Sequence, residues 1–215
     1  MVCIHCGRLS DSLACPICTQ ALQDLSYESQ YRQRCPDCGR PQLDRAYPCL
    51  FCQRGIQAYA PYTSVVATLL RQFKGEGQRS LSKVFAPLFI PMLASIENPL
   101  LIPVPASNKG FSDRGFDQML LIARLLKRTG GYPYLRLFAQ EGKGQSKFLS
   151  MRERQVRHTL TLLPLNEKAI QAKKSGHTFV LLDDIYTTGA TLSLSKTLLA
   201  EAYGIEALSL VIAMV

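Results

Sequence analysis

The sequence predicts an α/β fold: a central, mostly parallel sheet flanked by helices, carrying a small N-terminal metal-binding module. Three observations lead there. All eight cysteines lie within the first 52 of 215 residues, as four C-x-x-C pairs. After them, short apolar runs that end in turn residues are interspersed with stretches of helical period. One unit, Thr178 to Leu192 (T-F-V-L-L-D-D-I-Y-T-T-G-A-T-L), reads as strand, acidic pair, small-residue loop and helix start.

Residues 1–56 form the metal module. Its pairs are Cys3/Cys6, Cys15/Cys18, Cys35/Cys38 and Cys49/Cys52. Two intervening residues turn the chain back on itself, so each pair can bite one metal, and a tetrahedral Zn²⁺ needs two such knuckles. No cysteine follows Cys52, which argues against a disulfide framework spread over the fold. Two structural zinc ions are therefore expected. Sequential pairing puts Cys3, Cys6, Cys15 and Cys18 on one ion and Cys35, Cys38, Cys49 and Cys52 on the other; a cross-braced pairing stays open. Gly7, Gly39 and Gly55 follow shortly after knuckles, where a positive φ is wanted. Large apolar residues are few here, so metal should supply the folding energy. Tyr27, Tyr31, Arg32 and Arg34 mix aromatic and basic side chains, the composition of a base-stacking surface or equally of a polar linker.

Residues 57–215 form the second domain. Within Pro61 to Gly77, Val65, Val66, Leu69, Leu70 and Phe73 fall on one helical face. Lys74 closes that helix, either capping its dipole or reaching a diphosphate. Gln78 to Ile96 is a further helical region, bent or ended near Pro87 or Pro91. Pro99 to Pro105 (P-L-L-I-P-V-P) is a buried strand and the loop that leaves it. The segment Ala106 to Gly115 carries Lys109, Asp113 and Arg114 as a loop. R-G-F-D-Q then leads into a helix with Leu120, Leu121, Ala123, Leu125 and Leu126, a junction suited to a ligand at a sheet's carboxyl edge. Tyr134 to Phe138 is a short strand. Ala139 to Ser150 is rich in glycine and lysine, and Lys143, Gln145 and Lys147 could fold over an anion there. Arg152, Arg154 and Arg157 make the densest basic patch, a track for phosphates or single-stranded DNA, or a solvated face. Ile205 to Val215 is a strand apolar enough to be covered on both sides.

In the Thr178–Leu192 unit, Phe179 to Leu182 make the strand, Asp183 and Asp184 end it, and the helix runs from Leu192 to Tyr203. Gly189 and Ala190 leave room for backbone N–H groups to wrap a phosphate at the helix N-terminus, with hydroxyls from Thr187, Thr188 and Thr191. Adjacent carboxylates would repel a bare phosphate, so they should face sugar hydroxyls or a hydrated Mg²⁺. An ordinary βα turn with a threonine cap is the plainer reading, but it needs neither two acids nor so many hydroxyls. No G-x-x-x-x-G-K-[ST] and no G-x-G-x-x-G occurs.

The unit closely resembles the phosphoribosyl-diphosphate (PRPP) binding loop of type I phosphoribosyltransferases. That resemblance implies catalytic roles for Asp183 and Asp184 on the ribose hydroxyls, and a 5′-phosphate grip by Tyr186, Thr187, Thr188, Gly189, Ala190 and Thr191. Lys74 and Arg114 would meet the diphosphate, with Mg²⁺ accompanying PRPP. The cysteine knuckles, I-P-V-P, R-G-F-D-Q and V-L-L-D-D-I-Y-T-T-G-A-T, in this order and across essentially the whole chain, are similar to the ComF family of competence proteins. Membership would imply a type I phosphoribosyltransferase-like sheet with a zinc-ribbon module and a role in natural transformation. It would also imply handling of single-stranded DNA, with a DNA-uptake helicase as a possible partner. The chain departs from the family pattern at Asp117, where asparagine is common, and around Gln145 and Gln155, which leaves contacts at those positions open.

The formal charge of +9 and pI near 9.2 suit a polyanionic partner, or only solvated cations. No apolar run approaches the roughly 20 residues of a membrane span, and the N-terminus lacks the pattern of a signal peptide. The expected location is the cytoplasm, at most peripheral to the inner face of the membrane through partners. Two functions stay open: a component of DNA uptake that binds PRPP and single-stranded DNA, or an active phosphoribosyltransferase with a nucleobase or DNA-derived acceptor.

Overall fold

The computed structural model describes residues 1–35, 40–42, 49, 55–140, 160–164 and 166–215. Four parallel strands form the central sheet in the order β1-β6-β5-β2: β1 (Ile56–Pro61), β6 (Ala207–Met214), β5 (Thr178–Tyr186) and β2 (Pro99–Pro103). Residues 133–135 extend it beyond β2 through bonds between Leu101 and both Pro133 and Leu135. A small antiparallel pair, β3 (Phe138–Gln140) and β4 (Leu160–Leu162), lies apart from the main sheet. β1 escaped the sequence reading because I-Q-A-Y-A-P neither alternates cleanly nor runs continuously apolar.

Helices cover both faces, as a parallel sheet requires. On one face lie α3 (Ser64–Gly75), α4 (Ser82–Ala94) and α6 (Gln118–Gly130), packed on Val180, Leu182, Leu210 and Ile212. On the other lie α7 (Glu167–Lys174) and α8 (Ala190–Tyr203), against Phe179, Leu181 and Val211. The alternation along β5 follows from the two-residue period of a strand.

α4 runs unbroken through Pro87 and Pro91, where the sequence suggested a bend or an end. The two prolines stand four apart and both face solvent, so water can serve the carbonyls that their missing N–H groups leave open. The opposite face buries Phe85, Phe89, Met92 and Leu93 and holds the helix in place. Asn108–Arg114, read as loop, forms the short helix α5, capped by Ser107 accepting from the Gly110 N–H. Polar Asn166 to Gly176 likewise contains α7, with Asn166 as its cap.

In the N-terminal segment, α1 (Pro16–Asp24) starts at a largely buried cysteine cluster, and α2 (Tyr27–Gln30) follows with Tyr27 packed against the second sheet-face core. This segment docks on the sheet domain rather than standing off it. Leu22 joins the main core, Tyr59 donates its hydroxyl to the Leu22 carbonyl at 3.3 Å, and Val84 packs on the cysteines.

Candidate ligand cleft and cysteine cluster

β5 outruns its neighbour β2. Pro103 pairs with Leu182, the Val104 N–H donates to the Leu182 carbonyl, and the chain then turns away. Asp183 and Asp184 stand just past that point, so the step between the two strands opens a cleft of about 430 Å³ at the carboxyl edge of the sheet. Both aspartates lie inside β5, paired through β6 (Asp183 with Val211, Ile185 with Ala213), and do not terminate it. Strand alternation turns the two side chains to opposite faces. Asp184 faces the α3 side and meets Lys74 Nζ at 2.8 Å. Asp183 faces the α8 side and accepts from the Asp184 N–H at 2.9 Å.

Packing fixes the two cations. Phe73 stacks obliquely on Phe85 and Phe116, with ring centroids 5.4 and 5.9 Å apart. This trio pins the last turn of α3, and hence Lys74, to the turn that carries Arg114. Arg114 in turn donates to the Lys74 carbonyl at 3.0 Å and to Gln118 Oε1 at 2.9 Å. Gly110 makes room for it, because a Cβ there would come within 2.6 Å of the guanidinium. Arg114 is thus a tether between α3 and α6 as well as a wall of the cleft. Asp117 caps α6 by accepting from the Leu120 N–H and also accepts from the Ala106 N–H, fixing the loop after β2.

The loop after β5 completes the rim. Thr187 and Thr191 line the cleft, and the exposed Thr188 hydroxyl accepts from the Ala190 N–H at 3.4 Å. Gly189 has φ +73° and serves as the N-cap of α8, with no side chain capping the helix. A Cβ at this position would overlap the Tyr186 ring, which folds back over the glycine. Apart from the long contact of Ala190 to Thr188, no side chain among the described residues caps the first turn of α8, the arrangement that suits an anion. Gln118, Ser107 and Gln140 also line the cleft. Their local sequence marks none of them as ligand-facing except Gln118, a glutamine at the start of an apolar helix, which signals a buried polar role.

Burial and the neighbouring Asp184 carboxylate push the Asp183 carboxyl up to about 7, against the pull of the Asp184 N–H and the Lys74 ammonium. Near neutrality Asp183 therefore exchanges a proton readily, while Asp184 already holds a cation. Two neighbouring carboxyl groups beside a cleft offer hard oxygens, the donor type that a divalent cation such as Mg²⁺ takes.

Cys3, Cys6, Cys15 and Cys18 form the second constellation, with all four Sγ atoms within 4.8 Å of one another. The Cys6 and Cys15 sulfurs are 3.7 Å apart, close to the roughly 3.8 Å edge of a tetrahedron with ~2.3 Å zinc–sulfur bonds. Gly7, with φ +74°, closes the first knuckle by donating to the Cys3 carbonyl. The second knuckle is a helix start: Cys15 is the N-cap of α1, Pro16 follows, and Cys18 lies one turn on. Burial opposes ionisation of Cys3, yet N–H groups of Cys6, Cys15 and His5 aim at its sulfur and bring it down to about 6. Burial and the other three sulfurs drive Cys18 upward. Four sulfurs so crowded need a cation to ionise together, and this cluster could bind a metal ion such as zinc.

Cys35 is buried and Cys49 half-buried, both without a disulfide. Cys38 and Cys52 lie outside the described residues, as do Lys143, Gln145, Lys147, Arg152, Arg154, Arg157 and Gln155. Among the described residues no helix is long and apolar enough to cross a membrane.

No protein-family model matches the chain. It is 28% identical over 201 residues to the competence protein ComFC of Streptococcus pneumoniae (strain ATCC BAA-255 / R6), covering 91% of this chain and 84% of that protein. It is 29% identical over 182 residues to the competence protein ComFC of Bacillus subtilis (strain 168), covering 78% of this chain and 71% of that protein.

Proposed function

We propose, for a chain whose similarity to two ComFC competence proteins over most of its length supports membership of the ComF family, a role in competence in which it binds PRPP with Mg²⁺ and handles single-stranded DNA. The observation that carries the ligand reading is the convergence of Lys74, Arg114, Asp183, Asp184, Thr187 and Thr191 on one cleft. Those residues offer what a sugar bearing phosphates at both ends requires. Arg114 and Lys74 supply positive charge for a diphosphate, the aspartates accept from ribose hydroxyls, and the loop from Tyr186 to Thr191 supplies donors for the 5′-phosphate. Mg²⁺ would be held by Asp183 and Asp184, directly or through water, and would neutralise part of the diphosphate charge.

In this reading Lys74 changes partner on binding: its ammonium, now on Asp184, turns to the incoming phosphates as the carboxylate takes up the sugar. The N-terminal module is a structural zinc unit, with one ion on Cys3, Cys6, Cys15 and Cys18 and a second on Cys35, Cys38, Cys49 and Cys52. Arg152, Arg154 and Arg157 are proposed contacts for single-stranded DNA.

The alternative function is active phosphoribosyl transfer. The carbon–oxygen bond from the anomeric carbon to diphosphate would break as a nucleobase or DNA-derived nucleophile bonds to that carbon. Electrostatic stabilisation of the departing diphosphate by Lys74 and Arg114 would be the main catalytic effect. Incubation with PRPP and Mg²⁺, with and without bases or oligonucleotides, decides between them. Tight calorimetric binding without diphosphate release supports the binding role. Diphosphate release abolished by Asp184→Asn supports the enzyme. Absence of heat with PRPP and Mg²⁺ refutes both.

A further inference from the structure

Beside the candidate cleft runs a second groove of about 440 Å³, which shares Pro105, Ala106 and Gln140 with it. Its walls come from α5, α6, β3 and the turn before α4. Arg79, Arg124 and Arg136 line it, all three exposed, together with Phe111, a phenyl ring 52% exposed. Among the described residues none of these arginines has an ion-pair partner. The one carboxylate in the groove among the described residues belongs to Asp117, and both its oxygens are taken by backbone N–H groups of Ala106 and Leu120. Arg79 is held over the buried Phe116 ring, 5.4 Å from its centroid, so its charge is presented from a fixed position.

We propose that this groove is a binding site for single-stranded nucleic acid, with phosphates on Arg124, Arg136 and Arg79 and a base stacked on Phe111. Unpaired guanidinium groups surrounding an exposed aromatic ring are the pairing that a flexible strand uses, and stacking tolerates any base. A duplex keeps its bases stacked on one another and has none to offer Phe111. An acidic peptide could meet the charges but has no general use for the ring. Continuity with the neighbouring cleft would bring a strand past the candidate ribose site. The proposal rests on the reading that this protein handles single-stranded DNA, and adds a further surface for it besides Arg152, Arg154 and Arg157.

The test is fluorescence anisotropy of the full-length protein with a labelled oligothymidylate, titrated at several salt concentrations. Arg124→Ala/Arg136→Ala should weaken binding at least tenfold at low salt and flatten the salt dependence by about 1.4, at about 0.7 per phosphate lost. Phe111→Ala should weaken binding about tenfold with an unchanged salt slope. All three positions are exposed, so the variants should keep the wild-type melting temperature. Wild-type binding that both variants retain in full overturns the groove and leaves DNA handling intact. Failure of the wild type to bind overturns both. Displacement of the oligonucleotide by polyglutamate at matched charge, with Phe111→Ala silent, would reassign the groove to an acidic partner.

Discussion

Replacing Asp183 by asparagine should stabilise the ligand-free protein at alkaline pH and leave it nearly unchanged at acid pH. The sign follows from the direction of the shift. Folding raises this carboxyl from 3.8 to about 7, so the folded state holds a proton that the unfolded chain releases. Below the unfolded value both states are protonated and nothing is lost. As pH rises through this window the unfolded chain ionises while the folded carboxyl keeps its proton, and stability falls until both states are ionised. At about 1.36 kcal/mol per pH unit the interval bounds the loss at about 4 kcal/mol. Asp183 keeps some contact with solvent and shares its titration with Asp184, so an observable of about 1–2 kcal/mol is expected. Asparagine keeps an acceptor for the Asp184 N–H and removes the charge. For a chain of this size, about 2–4 °C of melting temperature per kcal/mol gives a gain of about 2–8 °C at pH 8, roughly a third of that at pH 5 and almost none near pH 3. Thermal melts of both proteins across that range, without added magnesium, measure it. An equal gain at all three pH values would mean the amide simply packs better. A loss at pH 8 would mean that the charged carboxylate is held favourably, and would refute the account of the acidic pair.

The same titration predicts that binding of PRPP with Mg²⁺ displaces a proton near neutrality, visible as calorimetric heats that differ between buffers of unlike ionisation enthalpy. Lys74→Met should weaken PRPP binding at least tenfold and cost about 1–3 kcal/mol of stability, because it leaves the buried Asp184 carboxylate without its cation; unchanged PRPP affinity would remove Lys74 from the site. Gly189→Ala forces a Cβ into the left-handed region and into the Tyr186 ring, so about 1–2 kcal/mol of stability should go, with a fall in affinity that ribose 5-phosphate shares with PRPP. Metal analysis should return two zinc ions per chain and one in Cys3→Ser/Cys6→Ser, with a lower melting temperature for the variant; one ion in the wild type would exclude the second proposed set.

The parts of this fold legible in the sequence were those whose pattern is local. β6 is apolar at every position but Ser209 and buried at every position but Leu208, as a strand covered on both faces should be, α6 has a clear apolar stripe behind an aspartate cap, and the first two knuckles carry metal spacing. Elements held by tertiary context were harder. α5 is seven residues long with one apolar side chain, and it exists because Ser107 caps it and Arg114 ties its end to α3 and α6. β1 reads weakly, yet it pairs along β6 from Ile56 to Pro61. α4 defied its prolines because both fell on the wet side, which no one-dimensional pattern discloses for a helix so apolar throughout.

The acidic pair illustrates what spacing alone leaves undetermined. Adjacent aspartates suggest a joint grip on one sugar, and both line one cleft; a strand turns neighbours to opposite faces, so the two meet different environments there. Asp184 is buried against a lysine supplied by α3, a helix more than a hundred residues earlier in the chain. Among the described residues Asp183 has no cation of its own within hydrogen-bonding distance, and its carboxyl is raised to about 7. The pair is thus unequal before any ligand arrives. A cationic or hydroxyl-rich ligand over the end of β5 would deprotonate Asp183 and compete with Lys74 for Asp184, freeing the ammonium for phosphate. The strand's overrun beyond β2 makes this possible: one more paired residue on β2 would cover the step between the strands and close the cleft that both carboxylates share.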